Sequence, residues 1–444
     1  MKNKCFKLLF IIFSSLTILI LVQGFTHIIP LRLEGYAPEN SKVEFNFQNL
    51  KDGSYQKFLE QYSKENCGFR EIFIRCYNQA LYSIFHKISN NNIIEGKNQE
   101  FFLRMYTEEA TGKNFRENFS SIDSAQSIAE KNIEKTLVLM DSLRQNGTQV
   151  LMVFAPAKTD IYPELLPEDI QKNIAKFSIR DYYIQLARQN QIPYIDFVSI
   201  FKKIAKESPY PVYTKGGTHW AQHTIPYVAD TILRKIEDVL QRKMPQIAYV
   251  DSNICTHYTG ADNELEDQMN LLFPLRKQAL PNPIFELKGT KSKTKPKLLV
   301  VGDSYFVALQ NSCFWDCFSQ VDYWKYNREI YSSNPSYNGE VQFFPDKYTV
   351  ISQADLVLFI FTTISAYNYL YGFCETAFQA LQNRDTNSSE EQIQYTIQRI
   401  KNDPKWFKNV KEQAKEKNKS TEEMLLENAL YVLSTEKSSS TNNQ

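Results

Sequence analysis

Residues 297–304, KLLVVGDS, decide the fold. The apolar run has no polar alternation, so it reads as a strand buried on both faces. It ends at Gly302-Asp303-Ser304 and passes directly into a helical pattern, YFVALQNSCFWDCF, at 305–318. A serine at such a strand-to-helix junction is held on a tight turn, with its hydroxyl facing the crevice above the sheet. The backbone N–H groups of the helix start are unpaired, and the helix dipole favours negative charge there. That geometry suits a nucleophile with its own oxyanion donor. A plain N-cap serine makes the same hydrogen bonds without chemistry.

Four further runs resemble this strand: TQVLMVFAPA (148–157), IPYIDF (192–197), QVDYWKY (320–326) and ADLVLFIFTT (354–363). Helical patterns such as IRDYYIQLARQNQ (179–191) lie between several of them. Strand and helix in alternation predict an α/β fold, a mostly parallel sheet flanked by helices, with its active site at the C-terminal strand ends. Residues 26–145 read mainly as helix, as in EIFIRCYNQALYSIFHKI (71–88) and SAQSIAEKNIEKTLVLMDSLRQNG (124–147). Residues 366–434 form a helical C-terminal extension, with a Ser-Thr-Glu-Glu start signal at 420–423. The stretch KGTKSKTKPK (288–297) reads as a solvated basic connector, and the polar tail as disordered. The expected organisation is an anchor at 1–25, an N-terminal helical region at 26–120, a catalytic domain at 121–365, the extension at 366–434 and the tail at 435–444.

Lys2, Lys4 and Lys7 precede the uncharged run LLFIIFSSLTILILVQGF (8–25). As a helix it spans about 27 Å, close to the hydrocarbon thickness of a bilayer. The flanking lysines place the N-terminus in the cytoplasm and the rest of the chain outside, in the periplasm. The expectation is a single-pass signal anchor in the cytoplasmic membrane. A cleaved signal peptide ending at Val22-Gln23-Gly24 is the alternative.

The 444 residues carry a net charge of +1, without the basic excess of a nucleic-acid binder. The 26 tyrosines and 30 phenylalanines read as core fillers, with a minority lining a carbohydrate groove. Seven cysteines form neither a disulfide scaffold nor a zinc spacing. Cys67–Cys76 is a candidate disulfide, and Cys313 and Cys317 read as packed thiols on one helix.

A serine nucleophile needs a base, and the chain has five histidines. His27 abuts the apolar segment, His86 lies in a helix and His257 in an irregular region. His219 and His223 have helical spacing, but no carboxylate accompanies them as metal ligands do. His219 stands in YTKGGTHW (213–220), on a turn after Gly216-Gly217 and before the helical pattern WAQHTIPYVADTILRKIEDVL. A histidine there projects into a crevice, and Trp220 either walls the site or offers a stacking face. Ser304 and His219 together suggest a catalytic pair, with Gly302, Asp303, Tyr305 and Trp220 as oxyanion or supporting residues.

These motifs resemble the alginate O-acetyltransferase family, whose fold is similar to SGNH hydrolases. The resemblance runs over roughly residues 65–375 and includes NCGFRE (66–71), IIEGKNQEFFLRMY (93–106), VFAPAKTDIYPELLP (153–167), YTKGGTHW and VVGDSYF (300–306). The histidine motif precedes the serine motif, as in that family. The resemblance implies acetyl transfer through Ser304 and His219 onto an exopolysaccharide hydroxyl, with a membrane-bound O-acyltransferase as donor partner, and no metal or cofactor. The family motif reads Asp-x-His-Trp, and Gly217 occupies the Asp position. Asp196, Asp160, Asp303 or a backbone carbonyl is left to orient the imidazole. Two other readings use the same residues: a carbohydrate acetyl esterase, and a non-catalytic polysaccharide-binding or assembly subunit.

Overall fold

The computed structural model describes residues 2–29, 32–36, 43–258, 260–289, 295–310, 312–382, 389–417 and 419–441, which fall into two units. The first comprises Met1–Arg104, Lys215–Thr218 and Tyr258–Gln278. Its helix Lys2–Thr26 contains the apolar span Phe6–Thr26, the one described helix long and apolar enough to cross a membrane. The last turns of that helix touch the Cys67-Gly68 turn. A Cβ on Gly68 would lie 2.0 Å from the Ile20 carbonyl oxygen, which accounts for the glycine in NCGFRE. Helix Arg70–Phe85 and a short antiparallel hairpin, β1 (Ile93–Glu95) with β2 (Phe101–Leu103), follow. Tyr82, Ile93, Phe101, Leu265, Met269 and Leu271 form the core of this unit.

The second unit holds Met105–Thr214, His219–His257 and Ala279–Gln444. Its strands are β3 (Gln149–Phe154), β4 (Tyr194–Asp196), β5 (Gln246–Cys255), β6 (Leu280–Lys288), β7 (Lys297–Gly302), β8 (Gln320–Lys325), β9 (Glu329–Ser332), β10 (Gly339–Glu340) and β11 (Leu356–Phe361). Seven of them form one sheet in the order β10-β9-β8-β7-β11-β3-β4. The five strands expected from the sequence are its parallel members, and β9 and β10, at one end of the sheet, pair antiparallel. β5 and β6 pair in a separate two-stranded ribbon.

The central strands are buried on both faces. Val150, Met152, Leu299, Val301, Val357 and Phe359 join one core cluster, while the alternate residues Leu151, Val153, Leu298, Val300, Leu358 and Ile360 are equally buried. Helices supply the cover. Ser121 caps Ile122–Arg144 by accepting from the Ser124 N–H, and the helix buries Ala125, Ala129, Ile133 and Met140 at three- and four-residue spacing. Helix Ile225–Leu240 buries Ile225, Val228, Ala229, Ile232 and Ile236 in a similar stripe. Helices Ser389–Asn402, Pro404–Glu416 and Thr421–Thr441 make the C-terminal extension, with a small core around Ile400, Val410 and Leu425. The last helix reaches into the stretch expected to be disordered. Residues 442–444, and residues 290–294 of the basic connector, lie outside the described residues.

The registers align the C-terminal ends of the sheet. Phe154 pairs with both Phe361 and Asp196, while Gly302 pairs with Ile360 and Lys325. All of these strands therefore deliver their next residues to one edge. Cys67 and Cys76 are free thiols, contrary to the candidate disulfide. Cys76 lies six residues into helix Arg70–Phe85, about 9 Å of rise from the turn bearing Cys67, beyond the ~7 Å Cα separation a disulfide spans.

Gly302 is the tightest point of the sheet. A Cβ there would sit 2.2 Å from Ile360 Cγ2 and 2.8 Å from the Ile360 carbonyl oxygen. Gly302→Ala is expected to lower stability by about 1–3 kcal/mol, the usual cost of overpacking. Urea unfolding followed by circular dichroism measures it, and an unchanged midpoint would show that β11 yields freely.

Candidate active site

Ser304 is the only residue of 298–306 that is not buried. The turn presents its hydroxyl outward while Gly302, Asp303 and Tyr305 pack inward. His219 Nε2 lies 2.8 Å from Ser304 Oγ. The structure thus joins two residues separated by 85 positions, from two different turns. Both are partly exposed, whereas Thr218 and Trp220 beside His219 are buried.

The local hydrogen bonds leave one donor of the Ser304 turn available. The Tyr305 N–H donates to Asp303 Oδ1 (3.1 Å), the Phe306 N–H to the Asp303 carbonyl (3.2 Å) and the Val307 N–H to the Ser304 carbonyl (3.1 Å). The Ser304 N–H has no acceptor among the described residues. An unpaired backbone donor next to a nucleophilic hydroxyl is the kind of group that oxyanion stabilisation uses. The helix after it is only Phe306–Gln310, five residues, followed by a 3₁₀ turn at Trp315–Cys317. The long helix expected over 305–318 is absent, because the chain turns again at Ser312, whose N–H and hydroxyl both bond the Leu309 carbonyl. Its dipole is correspondingly small, and oxyanion stabilisation from this turn rests on the single N–H.

Tyr305 lies beneath the imidazole, its ring centroid 4.8 Å from that of His219. Trp220 is fully buried against Phe197, Phe201 and Tyr305, at centroid distances of 5.7, 6.0 and 5.1 Å. It supports the floor and offers no stacking face to a ligand, correcting that part of the expectation. Gly302 contributes close packing, and its carbonyl accepts from the Tyr326 N–H at 2.7 Å.

The three aspartates left open as partners of His219 are occupied differently. Asp196 accepts from the Val198 and Ser199 N–H groups and the Ser199 hydroxyl as a helix N-cap. Asp160 pairs with buried Arg180 at 2.5 Å and accepts from the Ala157 N–H. Asp303 is buried beside the nucleophile and accepts from the Tyr305 N–H, the Thr362 N–H (2.9 Å) and the Ser365 hydroxyl (2.9 Å). Burial pushes its carboxyl above the ordinary value, opposed by those three donors and by the nearby charge of His219.

Residues that sequence reasoning passed over complete the surroundings. Buried Lys158, from VFAPAKTDIYPELLP, donates to the Thr214 carbonyl at 2.7 Å and ties that motif to the histidine motif. Burial raises the pKa of the Tyr106, Tyr323 and Tyr371 hydroxyls, and the charge of Asp303 adds to the rise. Tyr326, Asn327, Leu370 and Tyr371 have φ of 53°, 52°, 48° and 54°, a left-handed backbone costly for such side chains. Asn327 Nδ2 bonds the Tyr371 carbonyl (3.2 Å), tying the two strained turns together. Lys158 and Tyr106 lay within quoted motifs, and Tyr323 and Tyr326 within the quoted run 320–326, but none of them was singled out.

Residues 114–308 match the sequence profile of the SGNH hydrolase-like domain of the acetyltransferase AlgX. Among solved structures the chain is similar to the O-acetyltransferase domain of Pseudomonas putida AlgJ, at 15% identity over 64% of this chain and 99% of that one, with a TM-score of 0.39. It is also similar to Pseudomonas aeruginosa AlgX (15% identity, 65% and 68%, TM-score 0.42) and Bacillus cereus PatB1 (11%, 55% and 92%, TM-score 0.33). No curated protein sequence matches the chain.

His223 lies four residues beyond His219, outside the Ser304–His219 contact. Both its ring nitrogens are buried without hydrogen-bond partners, and desolvation lowers its pKa to about 4. No cluster of three His, Cys, Asp or Glu among the described residues is arranged to hold a metal ion. The unfolded chain takes up a proton at His223 below about pH 6.5, while the folded chain does so only near 4. Its contribution to stability is therefore present above about pH 6.5 and is lost as the pH falls through that window. His223→Phe should flatten the loss between about pH 6.5 and 4 relative to the parent, measured by urea unfolding at several pH values. An identical slope in both proteins would contradict a buried neutral imidazole.

Proposed function

We propose that this protein is an extracytoplasmic O-acetyltransferase that moves an acetyl group, through an acetyl-Ser304 intermediate, onto a sugar hydroxyl of a cell-surface or exopolysaccharide. The observation that carries the reading is the Ser304 Oγ–His219 Nε2 contact of 2.8 Å beside an unused Ser304 N–H. Within an AlgX-type domain, that arrangement favours catalysis over a purely non-catalytic subunit.

Ser304 Oγ attacks the acetyl carbonyl of the donor while His219 Nε2 takes its proton. The carbonyl oxygen becomes an oxyanion and accepts from the Ser304 N–H. Collapse breaks the bond to the donor's leaving oxygen or sulfur, which takes the proton from His219. In the second half the sugar hydroxyl gives its proton to His219 and attacks the acetyl-serine carbonyl. A second oxyanion collapses, the sugar keeps the acetyl group and Ser304 oxygen takes the proton back. Proton and acetyl group are both accounted for, and His219 acts as base and acid in each half. Water in place of the sugar makes the same site an esterase, so exclusion of water separates the two outcomes.

The N-terminal apolar helix fits a single-pass anchor or a signal sequence. We read it as an anchor that keeps the catalytic domain outside the cytoplasmic membrane, where a membrane-bound O-acyltransferase supplies the acetyl group. The anchored form is expected to stay with membranes through high-salt washing. A soluble extracytoplasmic chain beginning at Phe25 would overturn that part.

Brief exposure to an activated acetyl ester should add one acetyl group to the Ser304 peptide, read by mass spectrometry. Ser304→Ala and His219→Ala should each lose transfer by at least about a hundredfold, and His223→Ala far less. Faster decay of the label with oligosaccharide, yielding acetylated sugar, supports the transferase. Release of acetate regardless of sugar points to the esterase. A Ser304 that never labels, in cells whose Ser304→Ala variant acetylates polysaccharide normally, would remove the enzymatic reading.

A further inference from the structure

We propose that the outward face of helix Arg70–Phe85 lies on the outer surface of the membrane, with Phe73, Tyr77, Ala80 and Ile84 set at the boundary between lipid headgroups and acyl chains. The proposal rests on the reading of the N-terminal helix as an anchor and deepens it. The chain holds the bilayer twice, through a span and through a surface helix.

The first observation is the pattern of the helix. Positions 73, 77, 80 and 84 recur at three- and four-residue spacing and so share one side. Asn78 and Tyr82 on the opposite side are buried, and Tyr82 belongs to the core of its unit. The core therefore has no use for the first side, yet that side is apolar and exposed: Phe73 is 53%, Tyr77 64% and Ile84 68% exposed. The three charged residues of the helix, Arg70, Glu71 and Arg75, all lie off this stripe. From 73 to 84 it runs about 16 Å along the axis. A contiguous apolar face of that extent marks a contact surface, whereas scattered exposed apolar residues do not.

The second observation is the depth at which the helix begins, and it selects lipid as the occupant. A Cβ on Gly68 would lie 2.0 Å from the Ile20 carbonyl oxygen and 2.8 Å from the Gly24 nitrogen. A Cβ on Gly24 would lie 2.6 Å from the Asn66 carbonyl oxygen. The turn just before Arg70 thus packs on the apolar span between Ile20 and Gly24. That span ends at Thr26, so the turn sits about 3–9 Å inside its outer end. Surface helices bury their apolar faces to a similar depth, about 5–10 Å into the boundary between headgroups and acyl chains. A face that starts at this level meets lipid whatever else is nearby. Tyr77 suits the place, with an apolar ring and a hydroxyl for the headgroups.

The third observation is that the junction is fixed. Gln23 is buried, donates from Nε2 to the Ile29 carbonyl (2.9 Å) and accepts from the Ile29 N–H (3.2 Å). This clamp closes the end of the span in place of a loose linker. Phe25 and Ile28 beside it are 84% and 71% exposed, and they belong to the same boundary layer.

The photoreactive residue p-benzoylphenylalanine, placed in turn at positions 73, 77 and 84 of the full chain, tests this. All three side chains point outward, so the substitutions leave the core untouched. The chain is reconstituted in vesicles of phosphatidylcholine and phosphatidylglycerol, irradiated and read by mass spectrometry. Phospholipid adducts are expected at all three positions and none at Glu60, a charged position of the same unit whose side chain is 67% exposed. Equal adducts at Glu60, cross-linked dimers of the chain in place of lipid adducts, or no adduct at all would each overturn the proposal. The same labelling in cells adds one more outcome, since a cross-link to another protein in place of lipid also overturns it. The anchor is read separately. A chain that stays with membranes through high-salt washing but gives no lipid adduct keeps the anchor and loses the surface helix. A soluble chain beginning at Phe25 that still gives lipid adducts with these vesicles keeps the surface helix and loses the anchor.

Discussion

A missing side chain at Gly302 sets the rest of the site. With no Cβ there, β7 closes onto the backbone of β11 at Ile360, and the Asp303 N–H bonds the Ile360 carbonyl. Two residues later, just past the end of β11, the chain offers the Thr362 N–H, which the Asp303 carboxylate accepts. Asp303 is thereby pulled under the turn, and Ser304 is left as the residue that must face outward. A wider gap between these strands would lengthen the bond to Thr362 and let the turn rotate. The exposure of the nucleophile and the burial of its neighbour are two consequences of one close approach.

The central sheet was legible because its strands are buried on both faces, so their apolar runs lack the alternation that confuses strand with loop. The strands that sequence reading missed have the opposite character. β1, β2 and β10 are two or three residues long, too short to carry a pattern. β9 sits near the sheet's edge in the GluIleTyrSer stretch, with a single buried residue. β5 and β6 form an exposed ribbon, and Pro281 and Pro283 in β6 argue locally against a strand. A two-stranded ribbon tolerates them because each proline needs no partner on its outer side.

The Ser304–His219 pair was legible for a different reason. Each residue stands at the start of a helical pattern after a glycine, and such positions project into crevices whatever the wider fold. The surroundings were not legible. Trp220 reads as a surface aromatic beside a turn, yet Phe197 and Phe201 from a helix some twenty residues earlier bury it. Tyr106, Tyr323 and Tyr371 come from three distant segments, and no spacing relates them. Among 26 tyrosines, only the tertiary fold distinguishes those that feel the charge of Asp303.

The arrangement around Asp303 also has a stability side. A carboxylate surrounded by neutral hydroxyls is costly to bury, and its raised pKa expresses that cost. Arg or Lys in place of one of the tyrosines would relieve it, as Arg180 does for Asp160. The tyrosines instead fill volume and exclude water around it. The strained backbone at Tyr326, Asn327, Leu370 and Tyr371 fits the same logic, because it holds aromatic residues where a relaxed turn would withdraw them.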